Sequence, residues 1–407
     1  MIKFAHIADC HLGAWREPRL QKLNIRAFEK AINECVKEKV NFVLITGDLF
    51  DTVMPGIDIL KVIALKLKEL RDSNIDCYII PGSHDYSASG KTFLDVFENA
   101  GLLKNVAKFY ETEKGIELEL VKKGNLLIAG LPGRKAGLEK ELIKRIIKKE
   151  KKEKETQNYF KILALHTMIT EAKPKELEFL ESISLAELPD DFNYYALGHL
   201  HKSFQKAVDG KFVAYPGPLF PTSFDELEEL KKGSFFIINA DENRINAEKR
   251  EIKLVEVCNL VVDANNKSPE QVTQKALNQL KNIKNNVVTL RFRGELARGK
   301  TADINFTEIA SQAEKNNNIL LRSTSALTSR EFKIEVESRG KSIEQIETEA
   351  IEKYEQKEKQ EEYKEFAPFL KELVKALDIE KQEGETNIAF EKRVADEASK
   401  VLHIKWK

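Results

Sequence analysis

The chain has 407 residues, 42% hydrophobic and 32% charged, and its 66 basic side chains balance its 66 acidic ones. Such a length predicts two or three domains, and zero net charge excludes a global field that would draw the protein onto nucleic acid, so DNA contacts require a local basic patch. Four cysteines without a CxxC pair favour a reducing cytoplasm, and the lack of a leader or of an apolar run of ~18 residues predicts neither secretion nor membrane insertion.

In the first half of the chain, five apolar runs each end in a short polar cluster. The runs at 2–8, 41–46, 77–81, 161–165 and 194–197 predict strands. They lead into Asp9-Cys10-His11, Gly47-Asp48, Gly82-Ser83-His84-Asp85, His166 and Gly198-His199-Leu200-His201, respectively. Helical spacing at 28–36 and 59–70 completes a βαβ pattern. Sheets of this kind bind ligands beyond the carboxyl ends of their strands, so all five clusters can converge on one pocket.

In the second half of the chain, the pattern of predicted strands and helices changes twice. Strand-like runs continue from 212 to 239, so the first domain is predicted to span 1–245. Alternating strand and helix patterns then predict a small α+β module at 246–335. Beyond it, Ser342 and Gln345 form a capping box, and amphipathic patterns after Pro368 and after Gly384 predict helices in a tail at 336–407. The apolar stripes of these helices need a surface, either on the same protein or on a partner protein.

The residue types in the clusters suit phosphodiester hydrolysis. That reaction needs a nucleophile made from water and positive charge beside the phosphoryl oxygens, and two bridged divalent ions supply both. Asp48 is the natural bridging carboxylate because a glycine precedes it at a strand end. Asp9 and His11 alternate with Cys10, so they are expected on one side of an extended chain, and His199 and His201 share this spacing. Mixed imidazole and carboxylate ligands favour Mn²⁺, Fe²⁺ or Zn²⁺ over Mg²⁺.

Each cluster is a weak signal by itself, whereas the five in this order indicate a two-metal phosphoesterase. A lone His near a strand end is more often a structural residue than a ligand. We interpret His6 and His403, which lie outside the clusters, as ordinary structural residues.

Together the clusters resemble those of the calcineurin-like metallophosphoesterases, and the segments 9–13, 47–51, 196–201 and 215–217 look like those of the SbcD and meiotic recombination 11 nucleases. The resemblance implies an α/β fold, a β-sandwich flanked by helices, followed by a small α+β capping domain and a helical tail. It also implies that the first metal is held by Asp9, His11, Asp48 and His201, and the second by Asp48, Ser83, His166 and His199. His84 is then the catalytic histidine that contacts the scissile phosphate, held in place by Asp85.

Three positions depart from the family pattern. Ser83 stands where the family has Asn, and a hydroxyl is a shorter and poorer ligand than an amide oxygen, so the second site is expected to bind its ion more weakly. Asp51 stands where some relatives carry a histidine linked to exonuclease action. Pro218 replaces a Ser that is often found after the Tyr-Pro-Gly turn.

The resemblance predicts a Mn²⁺-dependent DNA nuclease of double-strand-break repair that cleaves ends or hairpins and forms a homodimer. Its tail is expected to bind an SbcC or Rad-fifty-type ATPase. Candidate phosphate contacts near the strand-end loops are Arg16, Arg19, Lys22, Arg26, Lys91 and Arg134. Two alternatives remain: a small-substrate phosphodiesterase of the same fold, and a non-catalytic structural subunit. The first is disfavoured by Thr52 and Asp85, which depart from the small-substrate motifs, and the second by the other ligand types, which are retained.

Overall fold

A computed structural model describes residues 2–87, 90–134, 137–146, 159–174, 182–208, 211–241, 244–330, 370–379 and 387–402. The chain divides into two compact units. The first comprises residues 1–262, 273–292 and 305–326, and the second comprises 263–272, 293–304 and 327–407. The three-domain division at 245 and 335 stays a prediction.

Two six-stranded sheets form the framework of the first unit. In the first sheet the order is β14-β13-β1-β2-β3-β4, with β1 (Ile2–Ile7), β2 (Phe42–Thr46), β3 (Asp76–Ile80), β4 (Lys104–Asn105), β13 (Gly233–Ala240) and β14 (Ile245–Ile252). In the second sheet the order is β11-β12-β10-β9-β8-β7, with β7 (Val121–Lys123), β8 (Leu126–Gly130), β9 (Phe160–His166), β10 (Tyr194–Gly198), β11 (Phe204–Val208) and β12 (Lys211–Tyr215). A separate hairpin joins β5 (Phe109–Thr112) and β6 (Gly115–Leu118).

The strands that lead to the predicted clusters are parallel within each sheet. β1, β2 and β3 pair in parallel, as do β8, β9 and β10. Their carboxyl ends therefore meet at one edge of each sheet, where the ligand sites of such folds lie.

Apolar side chains fill the space between the two sheets and the space under the flanking helices. Between the sheets, Phe4 stacks on Phe42 at 4.7 Å between ring centroids, and Tyr194 meets Phe4 edge-on at 5.3 Å. The helices of this region are α1 (Pro18–Lys37), α2 (Ile57–Asp72), α3 (Leu94–Asn99), α4 (Glu139–Lys144) and α5 (Phe224–Leu230). On α1, buried residues such as Phe28 and Ile32 recur at helical spacing and pack into a core cluster with apolar residues of β2 and β13.

The later part of the chain forms a three-stranded sheet and further helices. The strand order is β15-β16-β17, with β15 (Val257–Asp263), β16 (Val287–Leu296) and β17 (Ile319–Ser329), and the helices are α6 (Pro269–Leu280) and α7 (Phe306–Lys315). In the second unit, α8 (Leu370–Leu377) packs against α9 (Asn387–Leu402). The predicted sandwich, α+β module and tail helices are confirmed, while Ser342, Gln345 and Pro368 lie outside the described residues. Among the described helices, none combines the length and the apolar character that crossing a bilayer requires.

Candidate metal centre

The polar clusters at the strand ends converge in the first unit. Three triads of residues each bring their ligand atoms within 4.8 Å of one another. They are Asp9, His11 and His201; His11, Asp48 and His84; and Asp9, Asp48 and His166. Asp9, Asp48 and His166 are buried, with at most 2% of their surface exposed. Buried carboxylates that approach each other this closely repel, so the arrangement needs positive charge among them.

The backbone bends sharply at four of the predicted ligands. The φ angles of Asp9, His11, Asp48 and His199 are 51°, 41°, 49° and 88°. They lie in the left-handed region, which residues other than glycine rarely adopt. Each such residue costs about 1 kcal/mol or more, and strain of this kind clusters at functional sites. The expectation that Asp9 and His11 lie on an extended chain is therefore wrong, because β1 ends at Ile7 and tight turns, not strand alternation, aim the two side chains.

Two glycines leave room for the buried ligands. A Cβ atom at Gly47, which has a φ of 89°, would lie 2.1 Å from His166 Nδ1, and one at Gly82 would lie 2.2 Å from Asp48 Oδ1. Any larger residue at either position would displace a predicted ligand.

His11 and His201 turn the same ring nitrogen toward each other. Their Nε2 atoms are 3.1 Å apart, while His11 Nδ1 lies 3.2 Å from Asp51 Oδ1 and His201 Nδ1 lies 2.8 Å from Glu226 Oε1. Each carboxylate accepts a hydrogen bond from Nδ1–H, so both Nε2 atoms carry lone pairs when the rings are neutral. Burial lowers the pKa of His201, but the hydrogen bond with Glu226 and the charge of Asp9 outweigh it and raise the pKa to about 9. Positive charge, from a proton or a cation, is therefore favoured between the two rings.

Asp9, Asp48 and His166 form a second group of facing ligand atoms. His166 donates from Nδ1 to the Thr46 carbonyl at 2.9 Å, which directs Nε2 to within 3.1 Å of Asp48 Oδ2 and leaves a lone pair on it when the ring is neutral. Neither His166 Nε2 nor Asp9 Oδ2 has a hydrogen-bond partner among the described residues, although both atoms are buried. Burial raises the pKa of Asp48, but the adjacent His166 and His11 lower it more, so this carboxyl is a carboxylate.

This donor set fits two divalent cations. Unpaired acceptor atoms in a buried site are expensive unless a cation satisfies them, and here imidazole nitrogens and carboxylate oxygens point at the same space. Asp48 faces both groups, with Oδ2 at 3.6 Å from His11 Nε2 and 3.1 Å from His166 Nε2, as a bridging carboxylate must.

Two predicted ligands lie at the margin of these groups. His199 follows β10, and its backbone N–H donates to Asp9 Oδ1 at 2.9 Å, while its ring centroid lies 5.2 Å from that of His166. Ser83 is half-buried in the turn between Gly82 and His84. The assignment of both side chains as ligands stays a prediction.

His84 is exposed beside the centre. Its Nδ1 lies 2.7 Å from the Asp51 carbonyl oxygen, and its backbone N–H donates to Asp48 Oδ1 at 2.8 Å. The ring is 4.8 Å from that of His11 between centroids. With Nδ1 occupied by a carbonyl acceptor, the other ring nitrogen remains for a substrate.

The prediction that Asp85 holds His84 in place is wrong. The Asp85 carboxylate is buried and accepts from the backbone N–H groups of Gly82, Phe50 and Leu49 at 2.8, 3.0 and 3.3 Å. Because these three N–H groups donate to both carboxylate oxygens, the Asp85 side chain links the turn after β3 to the turn after β2. Burial and the nearby Asp48 charge raise the pKa of Asp85 to about 6.

Sequence reasoning missed the side chains that orient the ligands. Glu226, on α5, holds His201, and the Asp51 carboxylate holds His11. Asp51 stood out only as a departure from relatives, and Glu226 follows the helix-capping Ser223 with no spacing that relates it to His201.

The six candidate phosphate contacts are exposed. Arg16 lies in the loop before α1, whereas Arg19, Lys22 and Arg26 lie on that helix, and Arg19 also pairs with Glu17 at 3.0 Å. Lys91 and Arg134 follow β3 and β8, respectively. Their role in DNA binding stays a prediction. His6, by contrast, is fully buried between Tyr194 and Thr46, as expected of a structural residue.

Comparison with known proteins identifies similar chains. The sequence profile of the calcineurin-like phosphoesterases matches residues 2–203. The DNA double-strand break repair protein Mre11 of Archaeoglobus fulgidus is 26% identical over 337 residues, which cover 77% of this chain and 76% of that protein. Mre11 of Methanocaldococcus jannaschii is 29% identical over 70% of this chain and 75% of its own length, and Mre11 of Sulfurisphaera tokodaii is 32% identical over 57% and 58%.

Proposed function

This chain belongs to the calcineurin-like phosphoesterase family and to its Mre11/SbcD-type nucleases, and on that premise we propose that it hydrolyses DNA phosphodiester bonds in double-strand-break repair. The observation that carries the proposal is the pair of facing Nε2 atoms of His11 and His201 beside the buried carboxylates of Asp9 and Asp48. A site so crowded with lone pairs is suited to divalent cations and to little else.

Two Mn²⁺ ions are the cofactors that we propose. Asp9, His11, Asp48 and His201 would hold one, and Asp48, Ser83, His166 and His199 the other. When bound, the cations lower the pKa of water and offset charge on a phosphoryl group. His84, fixed through Nδ1 by the Asp51 carbonyl, would donate a proton from its other nitrogen to the leaving oxygen of the substrate.

The exposed cations Arg16, Arg19, Lys22, Arg26, Lys91 and Arg134 are the DNA contacts that we propose, and they supply the local positive charge that the zero net charge requires. A homodimer and an SbcC or Rad-fifty-type ATPase bound by the tail complete the proposed assembly. The cytoplasm is the proposed compartment, since all four cysteines are free thiols.

Cleavage by the purified full-length chain tests the function. We expect end-labelled duplex and hairpin DNA to be cut with Mn²⁺ and left intact with EDTA. The His84→Ala variant should lose cleavage by about 10²- to 10⁴-fold, because it removes a proton-transfer group, while calorimetry shows unchanged Mn²⁺ binding. Asp58→Asn, at an exposed position at the start of α2, is the matched control and should cut as the wild type does.

The alternatives predict other results. DNA that stays intact while bis(p-nitrophenyl) phosphate is hydrolysed would favour a small-substrate phosphodiesterase. A chain that binds Mn²⁺ but hydrolyses neither substrate would favour a structural subunit. Cleavage that survives both EDTA and His84→Ala would overturn the proposal.

A further inference from the structure

Helix α5 contacts the candidate metal centre through Glu226 on one side and Arg291 of strand β16 on the other, and the helix and both residues belong to the first unit. We propose that Glu226 is a positioning residue for His201, and that Arg291 of β16 acts on that ring through α5. The inference rests on the proposed function only in taking His201 as a ligand of the bound Mn²⁺.

On the side of the metal centre, the Glu226 side chain is held at both carboxylate oxygens. One oxygen lies 2.8 Å from His201 Nδ1, and the other accepts from the Thr222 N–H at 2.8 Å and from the Thr222 hydroxyl at 3.0 Å. A carboxylate fixed in this way allows the His201 ring one tautomer and little rotation, and so aims Nε2 toward His11. Partners that orient a ligand in this manner typically contribute 10- to 100-fold in metal affinity.

On the opposite side, α5 is bound to the sheet of the α+β module. The Arg291 guanidinium donates from Nη2 to Glu228 at 2.7 Å and from Nε to the same carboxylate at 3.0 Å, and it also pairs with Asp225. Arg291 stacks on the Phe224 ring at 4.9 Å, and Asn259 of β15 donates to the Glu228 carbonyl at 2.7 Å.

Helix α5 is short enough for a displacement at Glu228 to reach Glu226. It has seven residues, the Ser223 hydroxyl caps its start at the Glu226 N–H, and Leu227 is fully buried. Glu226 and Glu228 are two residues apart and point to different neighbours. A shift of β16 that pulls Arg291 therefore moves the helix turn that carries Glu226, and with it the His201 ring.

The test is Mn²⁺ affinity, measured by calorimetry on full-length variants without DNA. We expect Glu226→Ala to weaken binding by about 10- to 100-fold, with partial rescue in Glu226→Gln, whose amide oxygen still accepts from Nδ1. Arg291→Ala should weaken binding several-fold, with Arg291→Lys closer to the wild type. Circular dichroism and thermal unfolding in EDTA establish that each variant folds, and Glu226→Asp replaces any Glu226 variant that does not.

The matched control is Arg250→Ala. Arg250 lies on β14 and pairs with Glu34 and Glu38 at 3.6 and 3.3 Å, so its loss removes a comparable ion-pair cluster that includes no residue of α5. We expect this variant to lose thermal stability but to keep Mn²⁺ affinity.

Two outcomes would overturn the inference. If Glu226→Ala binds Mn²⁺ as the wild type does, Glu226 does not position His201. If Arg291→Ala and Arg250→Ala leave Mn²⁺ binding equally unchanged, the link through α5 is only structural. If the wild-type chain leaves DNA intact while Glu226→Ala still loses Mn²⁺ affinity, the result contradicts the nuclease proposal alone. The failures of the two proposals are therefore distinguishable.

Discussion

His11, His166 and His201 are each oriented by an acceptor at Nδ1. The acceptors are the Asp51 carboxylate, the Thr46 carbonyl and the Glu226 carboxylate. In each ring the remaining nitrogen, Nε2, is the one that faces the other predicted ligands. Because a ring that keeps its tautomer needs no reorganisation to bind a cation, these contacts favour tight metal binding.

Ser83 is the predicted ligand at which we expect metal binding to be weakest. Its hydroxyl is shorter than the amide that the family has at this position, so we expect calorimetry to show two Mn²⁺ ions bound with unequal affinity. Ser83→Asn should tighten the weaker step by about tenfold, or ~1.4 kcal/mol. Ser73→Asn, at an exposed position after α2, should change neither step. Two equally tight sites in the wild type would contradict the prediction.

The elements that deliver these ligands are parallel strands with fully buried runs. Apolar runs such as 41–46 and 194–197 were sufficient to predict β2 and β10, and the polar residues after them to predict the site. The supporting residues could not be predicted, because Glu226 and His201 meet through tertiary packing and not through a sequence period. The sequence also predicted the wrong backbone at Asp9 and His11, since strand alternation stops where the left-handed turns begin.

His6 of strand β1 is a buried titratable residue that connects the two sheets through hydrogen bonds. His6 contacts the Tyr194 hydroxyl through Nδ1 at 2.8 Å and the Thr46 hydroxyl through Nε2 at 2.9 Å. Burial lowers the pKa of His6 to about 3, below the ordinary value of 6.5. The unfolded chain therefore binds a proton that the folded chain does not between these two pH values, and folding stability falls as the pH drops through this window.

We expect this histidine to contribute about 2 kcal/mol to the loss of stability between pH 7 and pH 5. Urea unfolding in EDTA at the two pH values measures the loss, and His6→Gln should be less stable at pH 7 yet lose about 2 kcal/mol less on acidification. Equal losses in the two proteins would show that His6 does not titrate in this way.

At the scale of the whole molecule, zero net charge makes DNA binding depend on local cations. If Arg16, Arg19, Lys22, Arg26, Lys91 and Arg134 all contact phosphates, affinity should fall about a thousandfold between 50 and 200 mM salt. Fluorescence anisotropy with the His84→Ala variant and a labelled hairpin measures this fall without cleavage. Lys22→Gln should reduce the salt slope by about one, whereas Lys68→Gln, which removes a cation paired with Asp72, should not. Affinity that does not change with salt would rule out the patch.

The terminal helices α8 and α9 pack on each other and still expose apolar side chains. Val374 and Leu377 are 40% and 47% exposed, on a helix whose apolar residues recur at helical spacing. Exposed apolar stripes of this kind are suited to a partner protein. We therefore expect deletion of residues 360–407 to abolish capture of an SbcC or Rad-fifty-type ATPase while Mn²⁺-dependent cleavage persists.

A double substitution in the full-length chain gives a sharper form of this prediction. Val374→Glu with Leu377→Glu places two charges on the exposed face of α8, and burying them against a partner costs several kcal/mol, so capture in a pull-down should be lost. Glu372→Ala, at an exposed position on the same helix, should leave capture intact. Capture that survives both the double substitution and the truncation would place the ATPase-binding surface elsewhere on the chain. Capture lost only on truncation would place it in the tail but away from the exposed face of α8.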